Sequence, residues 1–255
     1  MAYIKALTQY LPERILTNED LYKELGDDKL IQLSIAAGIR ERHIAAEDET
    51  AGDMACKAAE RLFLENGIDR NDIDFLIFCT QCPDYLVPST SCILQDKLRL
   101  SLKTGTVSID HGCSGFIYGL VLADSLVKSG AATNVLLLTG DTVGKHLWSP
   151  NDKNKLLFGD AASAALVSNE GIAKIGKFSL GTDGSNFDKL IVRNGGARHK
   201  QLENNENDYS YMNGEAIFSF TLERVPKLVK DILGKMVYQK RILTYIVSIS
   251  QINCC

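Results

Sequence analysis

The chain has 255 residues, 45 % of them hydrophobic, which is enough for a large buried core or two fused ones. A formal charge of −4 gives no general attraction to nucleic acid or to an anionic membrane, although a local basic patch could still receive an acidic carrier protein. No apolar run approaches the roughly 20 residues needed to span a bilayer.

Met1 to Pro12 mixes Lys5, Thr8 and Gln9 among its apolar residues and does not read as a signal peptide. The seven cysteines (Cys56, Cys79, Cys82, Cys92, Cys113, Cys254 and Cys255) make an odd count, which predicts reduced thiols and a cytoplasmic location. Asp53–Asn66 has the spacing of an amphipathic helix with Met54, Ala55, Ala58, Leu62 and Phe63 apolar, stopped by Gly67. Ile73–Cys79 is a short, nearly continuous apolar run, the pattern of a strand covered on both faces.

Cys79-Thr80-Gln81-Cys82 has the spacing of a zinc or redox pair, but no second ligand pair accompanies it, and it reads as two core or loop thiols. Further along, Ser89–Leu98 reads as a helix after Pro88, Gly105–Ile109 as a strand and Ser114–Ser129 as a helix ended by Gly130. Val135–Thr139 and Ala162–Ser168 are further strands. Strands and helices alternating at this length predict a mostly parallel sheet with helices on it. No internal repeat, low-complexity segment or linker is visible.

In the Ser114–Ser129 segment, Phe116, Ile117, Tyr118, Leu120, Val121, Leu122, Leu126 and Val127 surround most of the circumference. A helix apolar nearly all round is expected to be buried between layers. The implied body is a layered αβαβα one.

Asp110-His111-Gly112-Cys113-Ser114-Gly115-Phe116 joins a buried strand to that helix. Near a helix N-terminus, unpaired N–H groups and the macrodipole favour a thiolate. The flanking glycines would let a carbonyl approach and let backbone N–H groups face a developing oxyanion, as a thioester-forming nucleophile requires. A cysteine in a strand–helix turn is more often structural than catalytic, so this local pattern alone leaves both readings open.

His111-Gly112-Cys113-Ser114-Gly115-Phe116 resembles the nucleophile motif of the β-ketoacyl-[acyl carrier protein] synthase III family. Four further stretches resemble that family in order: Gly38 to Ile44; Pro83-Asp84 through Pro88-Ser89 and Leu94-Gln95; Leu157 to Ala162; and Met212 to Phe218. The likeness runs from about residue 1 to residue 234.

It implies a thiolase-like αβαβα fold, with residues 1–170 as a complete N-terminal half carrying the nucleophile and 171–234 as the start of the C-terminal half. It also implies Cys113 as catalytic nucleophile and Gly214 and Phe218 as lining of the substrate channel. The implied reaction acylates the cysteine from a thioester on coenzyme A or acyl carrier protein, then condenses it with malonyl-carrier protein. No cofactor, metal or nucleic acid is implied; the implied partners are acyl carrier protein and a second copy in a homodimer.

The family's Cys-His-Asn set takes its His and Asn from the C-terminal half. The four histidines here (His43, His111, His146, His199) all precede the place of that His-Gln-Ala-Asn motif. His111 and His146 read as loop residues. Read one frame over from the third base of the Lys235 codon, the remaining codons can encode Asn-Gly-Leu and, further on, His-Gln-Pro-Asn, close to the family's continuation. Residues 235–255 are therefore expected to be an out-of-frame tail, leaving the C-terminal half truncated. The positions near Gln32 and Ala36 offer no tryptophan, and Lys153 stands where an arginine is usual, so stacking and a planar cationic fork for the adenine of coenzyme A are lost. That favours a carrier-protein donor. Competing readings are a catalytically incomplete product with a binding role, or a thiolase-fold enzyme that acylates a hydroxyl or amine without condensation.

Overall fold

The computed structural model describes residues 1–26, 38–146 and 157–235, together with 32, 34, 35, 148 and 149. Ala36, Lys153 and the expected tail after Lys235 lie outside them. The strands are β1 Tyr3–Tyr10, β2 Arg14–Thr17, β3 Glu41–Ile44, β4 Phe75–Cys79, β5 Gly105–Ile109, β6 Val135–Asp141, β7 Ala161–Ser168, β8 Ala173–Lys174, β9 Leu190–Val192 and β10 Ser210–Met212. The helices of eight or more residues are α1 Asn18–Leu25, α2 Ala51–Asn66, α3 Thr90–Lys97, α4 Gly115–Ser129 and α5 Gly214–Lys235; a four-residue helix, Val143–His146, follows β6, so His146, expected in a loop, ends a short helix instead. None of the described helices is long and apolar enough to cross a membrane.

One six-stranded sheet, in the order β5-β4-β6-β7-β1-β8, organises the chain. In β4, Leu76, Ile77 and Phe78 are all fully buried, because helices cover both faces of the sheet there. Leu76, Phe78, Leu136, Leu138 and Leu166 point one way, into a core with Met54, Ala55, Ala58, Leu62 and Phe63 of α2 and Leu94 of α3. Ile77, Leu137, Ala165 and Val167 point the other way, against Leu120, Ala123 and Val127 of α4. Thr50 fixes the start of α2 through a capping box: its side chain accepts from the Asp53 N–H, and the Asp53 carboxylate accepts from the Thr50 N–H.

The expected mostly parallel sheet is corrected. Of its five pairings, β4–β5 and β4–β6 are parallel, whereas β6–β7, β1–β7 and β1–β8 are antiparallel. The connections decide this. α3 carries the chain from β4 to β5, and α4 carries it back to β6 on the far side of β4, so the two crossover helices fall on opposite faces. Between β6 and β7 the described residues hold only the four-residue helix Val143–His146, too short to carry the chain across the sheet, and β7 returns alongside β6 in the opposite direction.

The expectation that α4 is buried all round is also corrected. Gly115, Gly119, Leu120, Ala123, Asp124 and Val127 are buried against the sheet, but Phe116, Ile117, Tyr118 and Val121 are only half-buried and Leu122 is 42 % exposed. The second sheet of the expected αβαβα body does not cover that face among the described residues; helix, sheet and helix are three of its five layers. Beyond Ser168 only Asn194 and Thr221 are buried among the described residues. There β9 and β10 form an antiparallel pair, and α5 is held by a Ser179–Asp231 hydrogen bond and an Arg224–Asp183 ion pair at 3.0 Å.

Candidate active site

The turn between β5 and α4 carries the sequence-predicted nucleophile. Cys113 is half-buried and precedes Ser114, the N-cap of α4, so the thiol stands just outside the helix end rather than within its first turn. Ser114 makes no side-chain cap hydrogen bond. The turn is closed by the Gly115 N–H donating to the Gly112 carbonyl at 2.7 Å.

Neighbouring side chains crowd both flanking glycines. A Cβ on Gly115 would overlap the sulfur of Cys79, and one on Gly112 would stand 2.5 Å from the side-chain oxygen of Gln81. The predicted role of these glycines was room for a substrate. In the structure the space beside them is taken by two residues of the Cys79–Cys82 loop.

That loop behaves as core. Cys79 and Cys82 are buried, 3 % and 7 % exposed, and burial pushes both thiols up to about 12, with Asp141 adding to the rise. Cys79 donates to the His111 carbonyl at 3.1 Å. Asp141, at the end of β6, accepts from the Thr80 hydroxyl at 2.8 Å, the Gln81 N–H at 2.7 Å and the Cys82 N–H at 3.2 Å through one oxygen. Burial raises the Asp141 pKa, and these donors work against the rise. None of the described cysteines is in a disulfide. No group of three His, Cys, Asp or Glu side chains is placed to hold a metal among the described residues.

The other motif residues are mostly braces. Arg42 is buried and donates to Asn18 at 2.5 Å and Ser34 at 2.9 Å. Asp160 accepts from the Ala45 N–H at 2.9 Å, and its own N–H donates to the His43 carbonyl at 2.8 Å, locking the start of β7 onto β3. Phe158 stacks on Trp148, ring centroids 5.4 Å apart. His111 lies in the loop, as expected, but its ring also packs on Tyr118 at 4.5 Å, and the Tyr118 hydroxyl donates to the Gly181 carbonyl at 3.2 Å. Gly214 opens α5 and is exposed, and Phe218, one turn in, is 51 % exposed.

Asp141 and Gln81 are the site residues that sequence reasoning missed. Gln81 lay inside the Cys79–Cys82 spacing, where the cysteines drew the attention, and Asp141 gave no signal beyond ending a strand.

Residues 107–184 match the family described as 3-Oxoacyl-[acyl-carrier-protein (ACP)] synthase III. The chain is 33 % identical over 238 residues to a β-ketoacyl-[acyl-carrier-protein] synthase III of Fusobacterium nucleatum, covering 91 % of this chain and 71 % of that protein. It is 35 % identical over 232 residues to one of Caldanaerobacter subterraneus, covering 89 % and 69 %. A crystal structure of a 3-oxoacyl-(acyl-carrier-protein) synthase III superposes with a TM-score of 0.86 at 39 % identity, over 92 % of this chain and 74 % of that one. The enzyme of that name from Aquifex aeolicus gives 0.79 at 30 %, over 92 % and 72 %. With a mixed α/β fold matching thiolase-like structures, and identity at this level over nine-tenths of its length, the chain belongs to the β-ketoacyl-[acyl-carrier-protein] synthase III family of condensing enzymes.

Proposed function

We propose that Cys113 is the thiol acylated in this family's condensation. In the first step its sulfur attacks the carbonyl of an acyl thioester; the new C–S bond forms, the bond to the carrier sulfur breaks, and the proton leaves with the carrier thiol. In the second step malonyl-carrier protein loses carbon dioxide, and the resulting carbanion attacks the acyl-Cys113 carbonyl. A C–C bond forms, the C–S bond breaks and the thiolate is regenerated. The observation that carries this reading is the position of Cys113 at the head of the fifteen-residue helix α4, half-buried in a turn packed against the Cys79 thiol, which burial holds protonated.

The donor is an acyl chain on a carrier protein, for which the absence of a tryptophan near Gln32 speaks. Gly214 and Phe218 line the path of the acyl chain. Acyl carrier protein is the macromolecular partner, and the setting is the cytoplasm, consistent with cysteines that form no disulfide among the described residues. Residues 1–170 form the nucleophile-bearing half and 171–234 the beginning of the second.

The chain pairs with a second copy through β5. That strand is the edge of the sheet, and Val107 on it is 37 % exposed. Nearby in sequence, Leu86, Val87 and Leu102 are 90 %, 85 % and 98 % exposed.

The test is to incubate the chain with an S-acyl N-acetylcysteamine thioester and map the acyl group by mass spectrometry. An adduct on Cys113 is expected. Label on Cys56, Cys79, Cys82 or Cys92 with Cys113 bare would overturn the assignment.

A further inference from the structure

The turn that carries Cys113 is closed from within by the Gly115 N–H on the Gly112 carbonyl. Glycine stands on the near side and, beyond Ser114, on the far side, and glycine populates more backbone conformations than any other residue. Ser114 supplies no side-chain cap. A neighbouring loop restrains it from outside as well. Below the turn, Cys79 donates to the His111 carbonyl and fills the space beside Gly115. At its side, the carboxamide of Gln81 fills the space beside Gly112, its oxygen 2.5 Å and its carbon 2.9 Å from where a Cβ would stand.

Gln81 is itself exposed, so burial does not fix it. Its backbone is fixed instead, by Asp141 on the adjacent strand. A single carboxylate oxygen gathers the Thr80 hydroxyl and the Gln81 and Cys82 N–H groups. β4 and β6 are paired in register up to Cys79 and Thr139, so Asp141 reaches the loop at the point where the ladder ends and backbone pairing no longer holds the chain.

We propose that Gln81, anchored by Asp141, is the positioning residue that holds the Gly112 peptide and thereby aims the Cys113 sulfur. The role rests on the reading of Cys113 as nucleophile and adds what keeps it in place. Gln81 touches no reacting atom. It acts by volume against Gly112, and Asp141 acts as an acceptor for the loop's donors.

These two modes of action predict different rescues. Gln81→Ala removes the brace, whereas Gln81→Met keeps its length. Asp141→Ala removes the acceptor, whereas Asp141→Asn keeps a side-chain oxygen that can accept the same hydrogen bonds. The measurement is the rate at which an S-acyl N-acetylcysteamine thioester acylates Cys113 in the full chain, read by mass spectrometry, with the thermal midpoint measured alongside. Gln81→Ala and Asp141→Ala should each slow acylation by about 10- to 100-fold, the scale of an ångström-sized misplacement. Gln81→Met and Asp141→Asn should recover most of the rate. The midpoint of Gln81→Ala should stay at the unaltered value, because an exposed side chain contributes little to stability. Acylation of Gln81→Ala at the unaltered rate, in a chain whose Cys113 does acylate, would overturn the positioning role alone. A fall in rate matched by a fall in midpoint, or no recovery in Gln81→Met, would overturn it too. No acyl group on Cys113 in the unaltered chain would instead sink the nucleophile assignment.

Discussion

The sulfur of Cys79 occupies the volume into which a Cβ on Gly115 would project. The sulfur is buried and its hydrogen bond to His111 is directional, so it has no free path aside. Gly115→Ala should therefore destabilise the chain by about 1–3 kcal/mol, the usual scale of overpacking, and should slow acylation of Cys113. Removing the sulfur with Cys79→Ala in the same chain should recover part of the loss. Urea unfolding of the two single variants and the double one measures the coupling; additive losses would contradict the collision.

The buried thiols should be inert where Cys113 is not. With Cys79 and Cys82 pushed up to about 12, only about one thiol in 10⁴ is ionised at pH 8, and the thiolate is the nucleophile. Brief treatment of the folded chain with iodoacetamide at that pH should leave both unmodified while labelling Cys113. In denaturant all of them should react. Early label on Cys79 in the folded protein would refute the burial of this loop.

Acid should weaken the junction between β1 and α2. Burial acts to raise the Glu49 carboxyl, but hydrogen bonds from Lys57 at 2.6 Å, Tyr10 at 3.0 Å and the Ala46 N–H at 3.3 Å outweigh it, and its pKa falls below the ordinary 4.5. A carboxylate lowered on folding contributes stability that is fully present above its unfolded value and is lost as pH falls through the folded one. Glu49→Gln should thus be less stable than the unaltered chain at pH 7, and the difference should shrink below pH 4.5. Denaturation midpoints at pH 7, 5 and 3 give the comparison.

Loss of the Thr50 cap should cost about 0.5–2 kcal/mol. Thr50→Ala leaves the Asp53 N–H without its acceptor at the start of the helix that shares one face of the sheet with α3. A lowered thermal midpoint is expected, with recovery in Thr50→Ser.

A charge on the exposed edge should separate copies. Val107→Lys places an ammonium on β5, the kind of residue that keeps sheet edges from pairing. Sedimentation should show a dimer for the unaltered chain and a monomer for the variant at the same concentration. A monomer in both would sink the proposed pairing.

Much of this architecture was legible in the chain. The run at Phe75–Cys79, the strand at Gly105–Ile109 and the helix ended by Gly67 follow from apolar spacing and stop signals, and each lies within two residues of its expected bounds. Strand direction was not legible, because periodicity reports burial and says nothing of which way a neighbour runs. β1 went unread because Lys5, Thr8 and Gln9 interrupt its apolar residues, although it pairs along its whole length with β7. At the site, Cys113 announced itself through its glycines. The reason for those glycines did not, since the collision partners Cys79 and Gln81 lie more than thirty residues earlier and meet them only in space.

The pairing of β1 with β7 sets a timetable. Tyr3 stands opposite Ser168, so β1 waits for a strand made long after it, nearly the last of its own sheet. Until β7 emerges, the β4, α3, β5, α4 and β6 elements can assemble from nearby contacts, whereas β1 has no strand to pair with and α2 lacks Ala162, Ala164 and Leu166 from its share of the core. A nascent chain halted before Ala161 would carry an open edge at β6 and an uncovered apolar face. Such a chain is a natural client for a chaperone, and release of the chain should follow the synthesis of β7 rather than that of the helices.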